Sequence, residues 1–148
     1  MNVSEFKHKI TVTVRFHEVD MLGVCNNAVY INYFEHARLQ YIKAAGLMPG
    51  GGIFSDGRIF FMVRNEINYR AHAHYDDELN VYTRISYIKN SSYGFEHLIE
   101  NAMTKEIIVD GSGVVVHVDP ETHKSTSLPD FFYEKIKEFQ KDVKIIKE

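Results

Sequence analysis

From Ile10 to His17 apolar and polar residues alternate, with Ile10, Val12, Val14 and Phe16 on one face and Thr11, Thr13, Arg15 and His17 on the other. A period of two predicts a half-buried strand. Glu18 to Asn27 fits neither period and contains Gly23, so it reads as a loop leading into a helix. From Asn27 to Ala45 the period becomes helical: Tyr30, Phe34, Ala37, Tyr41 and Ala45 form one apolar stripe, opposite Asn32, His36, Gln40 and Lys43. Gly46 suits a C-terminal cap and Pro49 stops continuation. The aromatic bulk of the stripe predicts that this helix lies against a sheet.

Gly50-Gly51-Gly52 is a flexible break, read as a connector. Strand-like segments follow at Arg58 to Arg70, Glu78 to Ile88, Ser92 to Asn101 and Glu106 to Val118, with Met103-Thr104-Lys105 as a hairpin turn. In the second of these, Leu79, Val81, Ile85 and Tyr87 share a face. Asp110-Gly111 interrupts an apolar run that resumes at once, which predicts a bulge or bend. Ser127-Leu128-Pro129-Asp130 opens a last helix, with Ser127 as its cap and Pro129 and Asp130 in its first turn. Phe132, Ile136 and Phe139 form its stripe, and Lys141 to Glu148 reads as a fraying tail. The order strand, long helix, four strands, short helix predicts an α+β class. A single domain with a core from about residue 8 to residue 141 is expected.

Composition narrows the function. The chain has 148 residues, 45% apolar and 25% charged, with a net charge of -3, which argues against a non-specific nucleic-acid binder. No apolar run approaches the roughly 20 residues that span a bilayer. Met1 to Lys9 lacks the apolar core of a signal peptide, and one cysteine suits a reducing compartment. A cytoplasmic location is expected.

The chemistry concentrates between Arg15 and Tyr30. Asp20 stands on a loop after a strand and shortly before a helix start, whose free N–H groups can bind an anion or polarise a carbonyl. A thioester carbonyl aimed there would have its developing oxyanion stabilised, with Asp20 attacking directly or activating water. Gly23 would let the backbone approach a substrate closely. The alternative is that Asp20 is a cap or turn residue.

The stretch from Arg15 to Arg38, with Asp20, Gly23-Val24, Asn27-Ala28, Tyr30 and Glu35-His36-Ala37-Arg38, resembles the signature of the 4-hydroxybenzoyl-CoA thioesterase-like family. It is also similar to the Tol–Pal-associated acyl-CoA thioesterases. Tyr75-Asp76-Asp77-Glu78-Leu79 and Leu128-Pro129 extend the resemblance from about Thr11 to Phe139. The resemblance implies a hotdog fold, a five-stranded mostly antiparallel sheet wrapped around a long central helix. It implies hydrolysis of an acyl- or aroyl-CoA to the free acid and CoA, with Asp20 catalytic. Backbone N–H groups near Asn27 would contact the thioester oxygen, and Gly23 and Val24 would shape the approach. Tyr30 and Phe34 read mostly as core, although a substrate acyl group could touch one edge of either. Lys89, Asn90, Ser91 and Ser92 match a place where relatives hold CoA phosphates, and Arg64 or Arg70 could add basic charge. No metal or redox cofactor is implied, CoA being part of the substrate, and pairing into a homodimer or homotetramer is.

Several residues carry rival readings. Cys25 lies near Asp20 but reads as a small buried group. His72 and His74 share a face and, with Asp76, would make a metal site only as a minority arrangement. Glu18 is a spare carboxylate expected to point away from Asp20. The rival functions are an enoyl or 3-hydroxyacyl thioester hydratase-dehydratase, for which His17 is the available acid–base partner, and a non-catalytic acyl-thioester binder.

Overall fold

The structure, a computed structural model, describes residues 1–50 and 56–146. Its elements are β1 (His8–Thr13), α1 (Val29–Ala44), β2 (Ile59–Tyr69), β3 (Glu78–Ile88), β4 (Ser92–Asn101), β5 (Ile107–Val118), α2 (Asp130–Phe139) and β6 (Lys144–Ile145). They form one sheet in the order β1-β3-β4-β5-β2, with β6 beside β3. The register of β1 on β3 is antiparallel, from His8 opposite Thr83 to Thr13 opposite Glu78, and the short β6 runs parallel to β3. The expected α+β arrangement is present, with six strands in place of five. Among the described residues no helix is long and apolar enough to cross a membrane.

The chain divides into two compact units. The first comprises Met1–Tyr41, Ile67–Arg84 and His97–Gly111, and the second Ile42–Glu66, Ile85–Glu96 and Ser112–Glu148.

In the first unit the apolar stripe of α1 is buried as expected, and Tyr33 is buried beside it. Tyr30, Tyr33, Phe34 and Ala37 pack with Leu79 and Val81 of β3, Ile99 of β4 and Ile108 and Val109 of β5. Each large side chain so buried contributes about 1.5–3 kcal/mol. Phe34 stacks on His97 with ring centroids 4.4 Å apart, and His97 Nδ1 lies 3.0 Å from Thr83 Oγ1. Burial, aided by the nearby Arg38 charge, holds the His97 pKa well below the ordinary range, so this imidazole is neutral in the core. A polar ladder crosses three strands. The buried Glu100 accepts from Tyr82 Oη at 2.8 Å and Asn80 Nδ2 at 3.1 Å, while Asn80 Oδ1 accepts from Thr11 at 3.0 Å.

Two expectations fail in this unit. β1 ends at Thr13 rather than His17, because Phe16–Glu18 closes a 3-10 turn in which the Arg15 N–H donates to the Glu18 carboxylate. Strand β5 runs straight through Asp110-Gly111. The irregularity lies opposite, where the successive N–H groups of Arg70 and Ala71 both donate to Ile108 O, the hydrogen-bond pattern of a bulge.

In the second unit α2 buries Phe132 and Ile136, with Phe132 against Tyr93 at 4.8 Å. Pro129, not Ser127, stands at its N-cap and makes no side-chain cap. Ser127 Oγ instead donates to Asn90 Oδ1 at 3.2 Å. Gly46 ends the chain's first helix in the left-handed region, φ +80°, as its predicted capping role requires. Gly94 is required by space, since a Cβ there would lie 2.3 Å from the Tyr87 ring. Gly51 and Gly52 of the expected break lie outside the described residues.

The expected fraying tail is also corrected. Val143 is buried, and β6 pairs with Tyr87 and Ile88 of β3. Between Phe139 and β6, Gln140 closes what would be an open strand edge: Ile85 N donates to its Oε1 at 3.0 Å, and its Nε2 donates to Ile85 O. One side-chain amide thus stands in for a strand residue, satisfying backbone groups that burial would leave orphaned. Replacing Gln140 by Leu removes both bonds and is predicted to cost about 2–4 kcal/mol of stability. Denaturant unfolding measures it, and a loss below about 0.5 kcal/mol would contradict the assignment.

Candidate active site

The segment between β1 and α1 is tightly specified. Val19 and Cys25 form an antiparallel bridge, as do Val24 and His74. Asp20 N donates to Val24 O at 2.9 Å, Gly23 N to Asp20 O at 3.0 Å and Cys25 N to Ala73 O at 2.8 Å. The loop is therefore a small hairpin laid against the segment that precedes β3. Gly23 sits at φ +78°, a conformation L-residues rarely adopt, which accounts for glycine at this turn.

Asp20 is exposed at the turn of this hairpin, and its Oδ1 accepts from Leu22 N at 2.8 Å. That is an Asx turn, which fixes the carboxylate within its own turn. Around it Phe16, Met21, Leu22 and Tyr75 are 78%, 103%, 84% and 54% exposed, an unusual density of apolar surface about one carboxylate. Phe16 and Tyr75 meet edge to face at 5.9 Å.

The start of α1 is capped by Asn26. Its Oδ1 accepts from Ala28 N at 3.1 Å and its carbonyl from Val29 N at 2.9 Å. Asn26 N donates to Glu18 O at 2.9 Å, which leaves the Asn27 N–H as the amide of this run given no acceptor among the described residues. Asn27 O accepts from Tyr69 Oη at 3.3 Å. Tyr30 is buried, and its hydroxyl accepts from Ala73 N at 3.2 Å. Asp20, Gly23 and Val24 thus share the hairpin, Asn27 follows it at the start of α1, and Tyr30 is tied to Ala73, the residue that also receives Cys25 N.

Cys25 is a core group. It is 1% exposed, and burial pushes its thiol up to about 11, far from the thiolate a nucleophile needs. Burial likewise pushes the Tyr30 phenol up to about 12. Glu18 points away from Asp20, as expected, into contacts with Arg15 and Tyr33. His17 faces a different space, a cavity of about 650 Å³ shared with Arg15, Glu18, Asn32, Tyr33 and His36, which Asp20 does not line. His72 and His74 are exposed, His74 N is held by Asp77 Oδ2 at 2.8 Å, and the described residues contain no group of three or more potential metal ligands.

Lys89 to Ser92 belong to the second unit, where they form the turn between β3 and β4. Lys89 N donates to Ser92 O at 2.7 Å, Tyr133 Oη to Lys89 O at 2.6 Å, and Leu128 N to Asn90 O at 2.8 Å. The turn is rigid, with the Lys89 ammonium 5.7 Å from the centre of the Tyr87 ring. Of the two further cations, Arg70 pairs with Asp110 at 2.9 Å and Arg64 with Glu66 at 3.4 Å.

Sequence reasoning missed Tyr33 and Asn26. Tyr33 lies three residues after Tyr30 and so flanks the stripe, a position helical spacing permits. Asn26 is a cap that its own residue type could have announced.

Residues 14–136 match the thioesterase-like superfamily, and the chain belongs to that family. Among individual proteins it is similar to the acyl-CoA thioester hydrolase YbgC of Escherichia coli O157:H7, with 29% identity over 87% of this chain and 93% of the relative. It is 29% identical to a chloroplastic acyl-acyl carrier protein thioesterase of Arabidopsis thaliana, over 79% of this chain. It spans only 60% of that relative's length, and 64% of a second plant thioesterase of the same kind. Among solved structures, a thioesterase from Thermus thermophilus complexed with coenzyme A and Zn matches with a TM-score of 0.78 and 29% identity, covering 93% of this chain and 97% of that one.

Proposed function

We propose that the protein hydrolyses an acyl-CoA thioester to the free acid and CoA, with Asp20 as the reacting carboxylate. The observations that carry this reading are an exposed carboxylate held in an Asx turn and, seven residues on at the start of α1, an Asn27 N–H given no acceptor among the described residues. The name of the bacterial relative YbgC, an acyl-CoA thioester hydrolase, supports the reaction class.

The chemistry follows from charge. A thioester carbonyl oxygen directed at the Asn27 N–H gains a donor at the positive end of a helix, where negative charge is stabilised as it develops. Asp20 then takes a proton from water, whose oxygen bonds to the carbonyl carbon, or bonds to that carbon itself to give an anhydride that water cleaves. Either way the carbon–sulfur bond breaks, CoA leaves as a thiolate and the acid is released. An alkyl thiol ionises near about 8.5, so the leaving group needs little help from an acid. One carboxylate and one helix start are therefore a sufficient set. Hydration of an enoyl thioester needs a second proton-transfer group, and the candidate, His17, lines the cavity on which Asp20 does not lie. The exposed apolar side chains near Asp20 in the chain, Met21 and Leu22, supply surface for an acyl group.

Free-thiol release from short-chain, long-chain and aromatic acyl-CoAs, and from acyl carrier protein thioesters, tests this. Wild type is expected to release thiol from at least one CoA ester, and Asp20→Asn to lose about 10²–10⁴-fold in turnover. Wild-type turnover in Asp20→Asn would remove Asp20 from the reaction. Release from carrier-protein esters alone would replace the substrate class.

The same reading includes a homodimer built on the free edge of β2, whose Phe61 and Val63 are 42% and 59% exposed. An uncovered apolar edge is a liability that pairing removes. Light scattering is expected to find a dimer or tetramer for wild type and a monomer for Val63→Lys; a monomeric wild type would contradict the assignment.

A further inference from the structure

The Asp20 hairpin, bonded on one side to Ala73 and His74, is joined to the end of β1 and to α1 by one buried carboxylate. Glu18 is 5% exposed, and all of its polar groups find partners within the same unit. Its Oε1 accepts from Arg15 N at 2.8 Å and from Tyr33 Oη at 2.9 Å, and its Oε2 accepts from Arg15 Nη2 at 3.3 Å. Its main chain closes the remaining two links. Glu18 N donates to Arg15 O at 2.9 Å, and Glu18 O accepts from Asn26 N at 2.9 Å. Glu18 therefore touches the end of β1 through Arg15, the second turn of α1 through Tyr33 and the cap of α1 through Asn26. Asp20 lies two residues along the chain.

The consequence is geometric. The Asp20 carboxylate is bonded within its own turn, by Leu22 N, and the hairpin's backbone bonds run to Ala73 and His74, which leaves a gap between the turn and the body of α1. Glu18 spans that gap. Burial pushes its carboxyl up, but the hydrogen bonds from the Arg15 side chain and backbone and from Tyr33 outweigh burial and keep it ionised. An ionised acceptor makes shorter, stronger bonds than a neutral one.

We propose that Glu18, gripped by Tyr33 and Arg15, is the positioning residue for Asp20, setting the carboxylate against the first N–H groups of α1. This rests on the reading of Asp20 as the reacting group. Glu18 itself touches no substrate. Its removal misplaces the turn without changing the chemistry available, and a shift of about 1 Å is enough to cost about 100-fold in rate.

The test uses the full chain and two readouts. Amide hydrogen exchange at Cys25 and Asn26 reports the anchoring whether or not a substrate is known, with Ile99 in β4 as the internal reference. Glu18→Ala is expected to speed exchange at Cys25 and Asn26 at least 10-fold and leave Ile99 unchanged. Glu18→Gln keeps an oxygen for Tyr33 and Arg15 N and is expected to stay within about 3-fold of wild type. Tyr33→Phe, which loses one bond, falls between and replaces Glu18→Ala if that variant does not fold. On the best CoA ester from the thiol-release panel, kcat is expected to fall in the same order, by about 100-fold for Glu18→Ala, with KM within about 3-fold. Unchanged exchange in Glu18→Ala overturns the proposal, as does full kcat in that variant while Asp20→Asn is inactive. Full activity in Asp20→Asn instead sinks the reading of Asp20, and the exchange rates still decide whether Glu18 holds the turn.

Discussion

Between Thr13, where β1 ends, and Val29, where α1 begins, the chain must change period and reverse direction while keeping every buried polar group bonded. The solution is a set of backbone bonds, two of them to the segment that precedes β3, joined by one buried side-chain link. Val14 N bonds to Asp77 O, Cys25 N to Ala73 O and Asn26 N to Glu18 O, and the buried Glu18 carboxylate takes up the Tyr33 hydroxyl. The core built on α1, with Leu79, Val81, Ile99 and Ile108, needs the helix to start where this segment delivers it. So does the local assembly around Asp20.

The division of labour between neighbouring acids follows from burial. Glu18 is buried and saturated with donors, which suits it to holding and unsuits it to proton transfer. Asp20 is exposed and bonded at one oxygen by its own turn, which leaves it reachable. Cys25 and Tyr30 are chemically capable side chains beside the same loop, yet burial pushes both away from ionisation at neutral pH. Selectivity among four plausible groups thus comes from solvent access rather than from residue type.

Much of the fold was legible in the sequence, because period carries it. The stripe Tyr30, Phe34, Ala37, Tyr41 marked α1, Gly46 marked its end, and β3 and β4 matched their alternating runs to the residue. What failed were features set by distant partners. Nothing local announces that Gln140 completes the edge of β3, that the tail after it adds a strand, or that Arg15 is drawn into a turn by Glu18. The family was legible from the run between Arg15 and Arg38, and it is now assigned from residues 14–136. The reading of Asp20 as the reacting group came through resemblance, since an acid before a helix is as consistent with a cap or turn residue, and its bond from Leu22 N makes it a turn residue. Tyr33 escaped because a tyrosine flanking an apolar stripe looks like packing until its hydroxyl is seen on a carboxylate.

The central claim is that a thioester carbonyl lies between Asp20 and the start of α1. The most direct measurement is a crystal structure of the protein with a CoA ketone analogue, in which a methylene replaces the thioester sulfur. The account predicts the analogue's carbonyl oxygen within about 3 Å of the Asn27 N–H and its carbonyl carbon within about 3.5 Å of an Asp20 oxygen or of a water bonded to it. A carbonyl bound in the cavity beside His17 and His36, away from Asp20, would contradict it.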